Sequence, residues 1–95
     1  MNLQDIINNE DFKNQIAAYI KYETLGREYF QCDQFKQADY CEEKMNQCFY
    51  ALQSITKSTP QGCYDLIDIY SETFRADIER QVLRLDTKYI DKECA

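Results

Sequence analysis

The stretch ADYCEEKMNQCFYALQSI, residues 38–55, decides the fold because its small and apolar residues follow one helical repeat. They recur at alternating steps of three and four residues, which makes a heptad seam: Ala38, Cys41, Met45, Cys48, Leu52 and Ile55. A seam of this kind is buried only when another helix lies along its whole length. The sequence therefore predicts a long helix, approximately residues 34–57, with a helical neighbour.

The segment before this helix has the same period. Asn8 and Asn9, followed by Glu10 and Asp11, predict the capped start of a helix over approximately residues 10–31. Its apolar residues cover an arc of roughly 220°, which is too wide for one neighbour, so we expect it to contact two helices. Asp33 is expected to cap the helix that follows.

A third long helix is predicted after the only proline of the chain. The segment STPQG, residues 58–62, ends the preceding helix, and Pro60 stands where a helix start tolerates proline. Approximately residues 61–91 then carry one apolar stripe: Cys63, Ile67, Tyr70, Phe74, Ile78, Val82, Leu85 and Tyr89.

The remaining N-terminal residues include Leu3, Ile6 and Ile7, which predict a short amphipathic turn over one end of the core. Strand-like alternation is absent, and two glycines and one proline in 95 residues leave few turns. We therefore predict an all-α fold, a single helical domain over residues 1–95. Its architecture is an antiparallel three-helix bundle with a short N-terminal helical turn.

The charge balance argues against direct nucleic-acid or membrane binding. Seventeen acidic and eleven basic residues give a formal net charge of -6, which opposes attraction to phosphate backbones and anionic lipids. The densest basic region, residues 75–92, interleaves its lysines and arginines with carboxylates. Neither a signal-peptide pattern nor an apolar run of membrane-span length is present. We expect a cytoplasmic protein.

The residue types of common catalytic sites are scarce. Histidine, the commonest general base and metal ligand, does not occur, and Gly26 and Gly62 are too few for a phosphate-binding loop. Adjacent carboxylates such as Glu42 and Glu43 do not share a helix face, so they make poor acid–base pairs. We expect no enzymatic activity, no catalytic residue and no cofactor.

Five cysteines form the other distinctive group: Cys32, Cys41, Cys48, Cys63 and Cys94. Their odd number is unusual for a secreted disulfide framework, and their spacings are wider than those of paired zinc ligands, so we assign no metal site. The two seam cysteines are expected in the core. In an up-down-up bundle the first turn and the chain end share one pole, which leaves a redox link between Cys32 and Cys94 as an alternative.

Apolar residues outside the core stripes indicate where a partner could bind. A second stripe in the third helix recurs every seven residues, opposite the main one. Two tyrosines of the second helix leave the seam, and tyrosine is enriched at interfaces. The other interpretation is that such rings cover the rim of a small core. The candidate partner interface is Tyr40, Tyr50, Ile69, Ala76, Leu83 and Ile90.

Residues 19–52 also carry a local pattern with fixed intervals: Tyr22, Leu25, Gly26, Tyr29, Phe35 and Ala38. This pattern resembles a single tetratricopeptide repeat, a helix-turn-helix unit. It departs from the repeat at Glu42, Met45 and Tyr50, and no second copy follows Pro60. The resemblance implies protein or peptide binding, with Gly26 permitting close helix approach.

Together these patterns predict a small acidic protein that binds another protein as an adaptor, chaperone-like binder or inhibitor, and that forms a homodimer. One alternative is an acidic decoy, of the kind anti-defence inhibitors use, that occupies the nucleic-acid-binding surface of its partner. A further alternative is a thiol redox or cysteine metal site.

Overall fold

The computed structural model describes the backbone of residues 3–83 and, within it, the side chains of residues 5, 6 and 8–72. This part of the chain is all-α and contains no strand, which confirms the predicted fold class. The helices begin and end within one residue of the predicted positions wherever they are described, and the predicted end near residue 91 lies outside that range. The helices are α1 Leu3–Asn8, α2 Glu10–Gln31, α3 Phe35–Thr56 and α4 Pro60–Leu83.

The start of α2 is capped as the sequence predicts. The Asn9 side-chain Oδ1 accepts a hydrogen bond from the Phe12 backbone N–H at 3.0 Å. Glu10 and Asp11 place negative charge in the first turn, where the helix dipole favours it. The α1 turn before it contributes buried Ile6 to the core.

The predicted role of Asp33 is wrong. Asp33 has a φ of 60°, and its N–H donates to the Phe30 carbonyl at 3.1 Å, while the Gln34 N–H donates to the Tyr29 carbonyl at 2.9 Å. These two bonds are those of a Schellman motif, with Asp33 in the left-handed position that Asp tolerates. Asp33 therefore terminates α2, and Gln34 precedes α3 without a side-chain cap.

The α2 and α3 helices form an antiparallel hairpin, and their contact is the most extensive one between the described helices. Cys41 and Leu52 of the seam are completely buried, and Cys48 is buried beside them. A Cβ atom on Gly26 would lie 3.1 Å from the Cys41 Cβ, which is tighter than most contacts between packed side chains. Glycine at this position therefore allows the two helices to approach.

The α4 helix packs mainly on α2, so α2 contacts two helices as its wide apolar arc predicts. Its first residues lie beside α3: the rings of Phe49 and Tyr64 have centroids 4.4 Å apart. Farther along α4, the Tyr70 ring meets Phe12 edge-on at 5.6 Å. Cys63 and Tyr64, near the start of α4, lie close to Tyr19 in the middle of α2, whereas Tyr70 lies at the start of α2. From Cys63 to Tyr70, α4 therefore runs towards the start of α2.

The break before α4 also follows the sequence. Pro60 is the first helical residue, and the Thr59 hydroxyl accepts a hydrogen bond from the Gly62 N–H at 3.1 Å. From the predicted stripe of α4, Cys63 and Ile67 are buried and Tyr70 packs against the core. The later stripe residues lie outside the described side chains.

Candidate functional site

The structure describes the side chains of three of the six predicted interface residues, and these three differ in exposure. Tyr50 and Ile69 are 68% and 57% exposed, whereas Tyr40 is partly buried and packs against the core. The Lys44 Nζ lies 5.5 Å from the Tyr40 ring centroid, which adds a cation–π contact. The side chains of Ala76 and Leu83, and all of Ile90, lie outside the described residues.

Tyr50 belongs to a group of three aromatic residues that was not predicted from the sequence. Buried Phe49 lies at its centre, with the exposed Tyr50 ring 6.1 Å away on the same helix and the exposed Tyr64 ring 4.4 Å away on α4. We call Phe49, Tyr50 and Tyr64 the aromatic strip. Two exposed rings thus contact a buried one across the junction of α3 and α4.

A second surface, the α2–α3 groove, lies near the other end of the hairpin and was also not predicted. It has a volume of about 260 Å³, and the described residues that line it all belong to these two helices: Tyr22, Glu23, Gly26, Arg27, Phe30, Ala38, Asp39, Glu42 and Met45. Phe30 is 62% exposed at its rim and meets exposed Phe35 edge-on at 5.3 Å. The feature of the sequence that could have indicated the groove is the position of Phe30, which lies on the same helix face as the core residue Phe12.

The lining of the groove is acidic. It includes three carboxylates and one guanidinium, and the Arg27 Nη2 lies 3.8 Å from the Glu23 Oε1. Asp39 and Glu42 make no ion pair with the described residues, and both are exposed. The groove therefore combines an apolar lining with an excess of negative charge.

Tyrosines next to these surfaces are held neutral. Burial, and next the nearby Glu23 carboxylate, raise the pKa of Tyr19 to about 12. Burial also raises the pKa of groove residue Tyr22, against a smaller opposite effect of Lys44. A phenol with a raised pKa is a poor base near neutral pH, so the groove offers hydrogen bonding and contact area rather than acid–base chemistry.

Three of the four cysteines that the structure describes are buried. None of the four forms a disulfide; Cys32 is exposed, and Cys41, Cys48 and Cys63 are buried. Burial raises the pKa of the Cys48 and Cys63 thiols, which disfavours the reactive thiolate. Within the same residues no group of His, Cys, Asp or Glu side chains could hold a metal ion.

The alternative of a redox link between Cys32 and Cys94 involves Cys94, which lies outside the described residues. The direction of α4 does not favour the shared pole on which that alternative rests. Cys32 follows the end of α2, whereas the described part of α4 runs towards the start of α2, away from that turn.

The described helices also include none that is both long and apolar enough to cross a membrane. Comparison of the chain with known protein families, with curated proteins and with solved structures finds no match.

Proposed function

We propose that this protein acts by binding another protein, as an adaptor, chaperone-like binder or inhibitor, and that it self-associates. The observation that carries the proposal is the aromatic strip. Its two exposed tyrosines lie on different helices, and each ring contacts the buried Phe49 ring.

Such rings suit an interface for two physical reasons. Tyrosine offers a large apolar area together with a hydroxyl that can bond to a partner, and it has few rotatable bonds to immobilise on binding. Packing against Phe49 restricts the rings further, so less conformational entropy is lost on association. Interfaces concentrate their binding energy in a few residues of this kind.

The test is the molar mass in solution, measured by light scattering over a range of concentrations. We expect a mass above that of one chain for the wild type and a monomer mass for Tyr50→Asp. Gln47→Asp is the matched control, because it adds the same charge at another exposed position of α3 and should leave the mass unchanged. A wild-type protein that stays monomeric at every concentration would remove self-association from the proposal.

A second candidate function is the acidic decoy, supported by the net charge of -6 and by the carboxylates of the α2–α3 groove. The two functions differ in how a captured partner responds to salt. A decoy held by carboxylates dissociates as salt rises, because charge interactions at an exposed surface are screened. Binding that resists salt and is lost in Tyr50→Asp supports the adaptor instead.

A further inference from the structure

We propose that the α2–α3 groove binds a short amphipathic helix of a partner protein, apolar on one face and flanked by Lys or Arg. The inference rests on the proposed function, protein binding, and adds a second site and the chemistry of its occupant.

The groove lies on one face of α2, which it shares with the contact to α4. Phe12, Tyr19, Glu23 and Phe30 follow one another at steps of seven, four and seven residues, so they share one face of the helix. At the start of this face Phe12 packs against Tyr70 of α4. Glu23 and Phe30, farther along, line the groove.

One face of α3 is likewise shared between a contact to α4 and the lining of the groove. Ala38, Glu42, Met45 and Phe49 lie on one face, at steps of four, three and four residues. Phe49 contacts α4 through Tyr64, whereas the other three line the groove. The groove is therefore a continuation of the surface on which α4 packs, and none of the described α4 residues lines it.

The shape of the groove suits a helix rather than a small molecule. From Tyr22 to Phe30 it spans eight residue steps along α2, about 12 Å, or roughly two helical turns. Its volume of about 260 Å³ lies below the roughly 300–1,000 Å³ of small-molecule sites. The small residues Gly26 and Ala38 leave space between the helices for inserted side chains.

The charge of the groove selects the partner. Apolar contacts are available from Tyr22, Phe30 and Met45, while the ionisable lining groups carry an excess of two negative charges. Of these, Glu23 lies next to Arg27, so Asp39 and Glu42 are the carboxylates best placed for a basic residue. An apolar helix flanked by Lys or Arg satisfies both features.

The probe for the test is a fluorescein-labelled synthetic peptide of about 15 residues, a length at which an isolated helix begins to be stable. It carries Leu at alternating steps of three and four residues and Lys on both flanks of that face. Binding to the full chain is followed by fluorescence anisotropy. A second peptide with Glu in place of every Lys should not bind.

Two matched pairs of variants locate the peptide. Glu42→Lys changes the groove, and Glu43→Lys makes the same charge change at the neighbouring exposed residue outside it. Phe30→Ala and Tyr50→Ala remove exposed rings from the groove and the aromatic strip respectively. We expect Glu42→Lys and Phe30→Ala to weaken binding by about tenfold or more, and the two controls to change it by less than about twofold. Circular dichroism confirms that all four variants fold.

Failure to bind the Lys peptide, or equal weakening by Glu42→Lys and Glu43→Lys, overturns the inference. If the peptide does not bind but Glu42→Lys lowers the molar mass of a wild-type dimer, the groove holds a second copy of this chain, which also overturns it. The aromatic strip is tested separately by the effect of Tyr50→Asp on self-association. The groove can therefore fail while the proposed function stands, and the reverse.

Discussion

Phe12 and Phe30 stand on the same face of the same helix, yet the first is 2% exposed and the second 62%. They are eighteen residues apart, five turns at about 3.6 residues per turn, so their positions on the helix surface are nearly equivalent. The difference is α4, which places Tyr70 against Phe12 and has none of its described residues in the groove at Phe30. We call these regions the covered half and the open half of the hairpin face.

The comparison shows that a helix face can be apolar along its length and still have two roles. In the covered half the ring stabilises the fold, because folding removes it from water. In the open half an equivalent ring contributes little to folding and is available to a partner. Four predictions follow from this difference.

The largest effect is expected for Phe12→Ala in the covered half. Removing this buried ring leaves a cavity beneath Tyr70, and we expect the free energy of unfolding to fall by about 3–5 kcal/mol. Urea denaturation followed by circular dichroism measures the change. Glu28→Ala, at an exposed position of the same helix, serves as the control. A loss below about 1 kcal/mol for Phe12→Ala would show that α4 does not cover this ring in solution.

A smaller loss is expected for Gly26→Val, where α2 and α3 approach closely in the open half. The added Cβ would lie 3.1 Å from the Cys41 Cβ, so the helices must separate, at a cost of about 1–3 kcal/mol. Gly26→Ala should cost less, because it adds one atom group and gains up to about 1 kcal/mol of helix propensity. The same denaturation experiment measures both; wild-type stability in the valine variant would contradict the close approach.

Tyr19, which lies near α4 in the covered half, should make the stability of the protein depend on pH. Below pH 10 this phenol is protonated in the folded and the unfolded chain alike. Between its ordinary pKa of 10.0 and its folded pKa of about 12, the unfolded chain loses the proton that the folded chain keeps. Stability should therefore fall as pH rises through this window.

Tyr19→Phe should reduce that fall, and Tyr50→Phe, at an exposed ring, is the matched control. Denaturation midpoints measured from pH 9 to pH 12 compare the two variants with the wild type. An equally steep fall in Tyr19→Phe would mean that Tyr19 does not contribute to it.

The smallest effect on stability is expected for Phe30→Ala in the open half. The ring loses its edge-on contact with Phe35 but little burial, so the free energy of unfolding should change by no more than about 1 kcal/mol. Read beside Phe12→Ala, this value measures directly how much α4 contributes at equivalent positions. Equal losses at the two positions would end the distinction between the halves.

Much of this architecture could be predicted because local rules determine it. The Asn9 cap, the break at Pro60 and the seam through Cys41 and Leu52 are each visible within a few residues, and the structure confirms them. Asp33 shows the limit of local rules, since the same residue type suits a helix start and a left-handed helix end. At this turn the backbone hydrogen bonds stabilise the left-handed helix end.

The candidate surfaces were harder to predict for a physical reason. A periodic stripe shows which residues share a face, but it does not show how far a neighbouring helix extends along that face. The aromatic strip depends on the contact of Phe49 with Tyr64, and the groove depends on α4 packing beside Tyr19 and Phe12 rather than beside Phe30. Neither contact is determined by the sequence of a single helix.

The all-α class, the described helix ends and the central position of α2 could be predicted from the sequence, because propensity, capping and apolar period act over a few residues. The part of the α2–α3 face that α4 covers could be seen only in the folded chain. That coverage depends on packing between residues far apart in the chain. It is why Phe12 belongs to the core while Phe30, on the same face, borders an open groove.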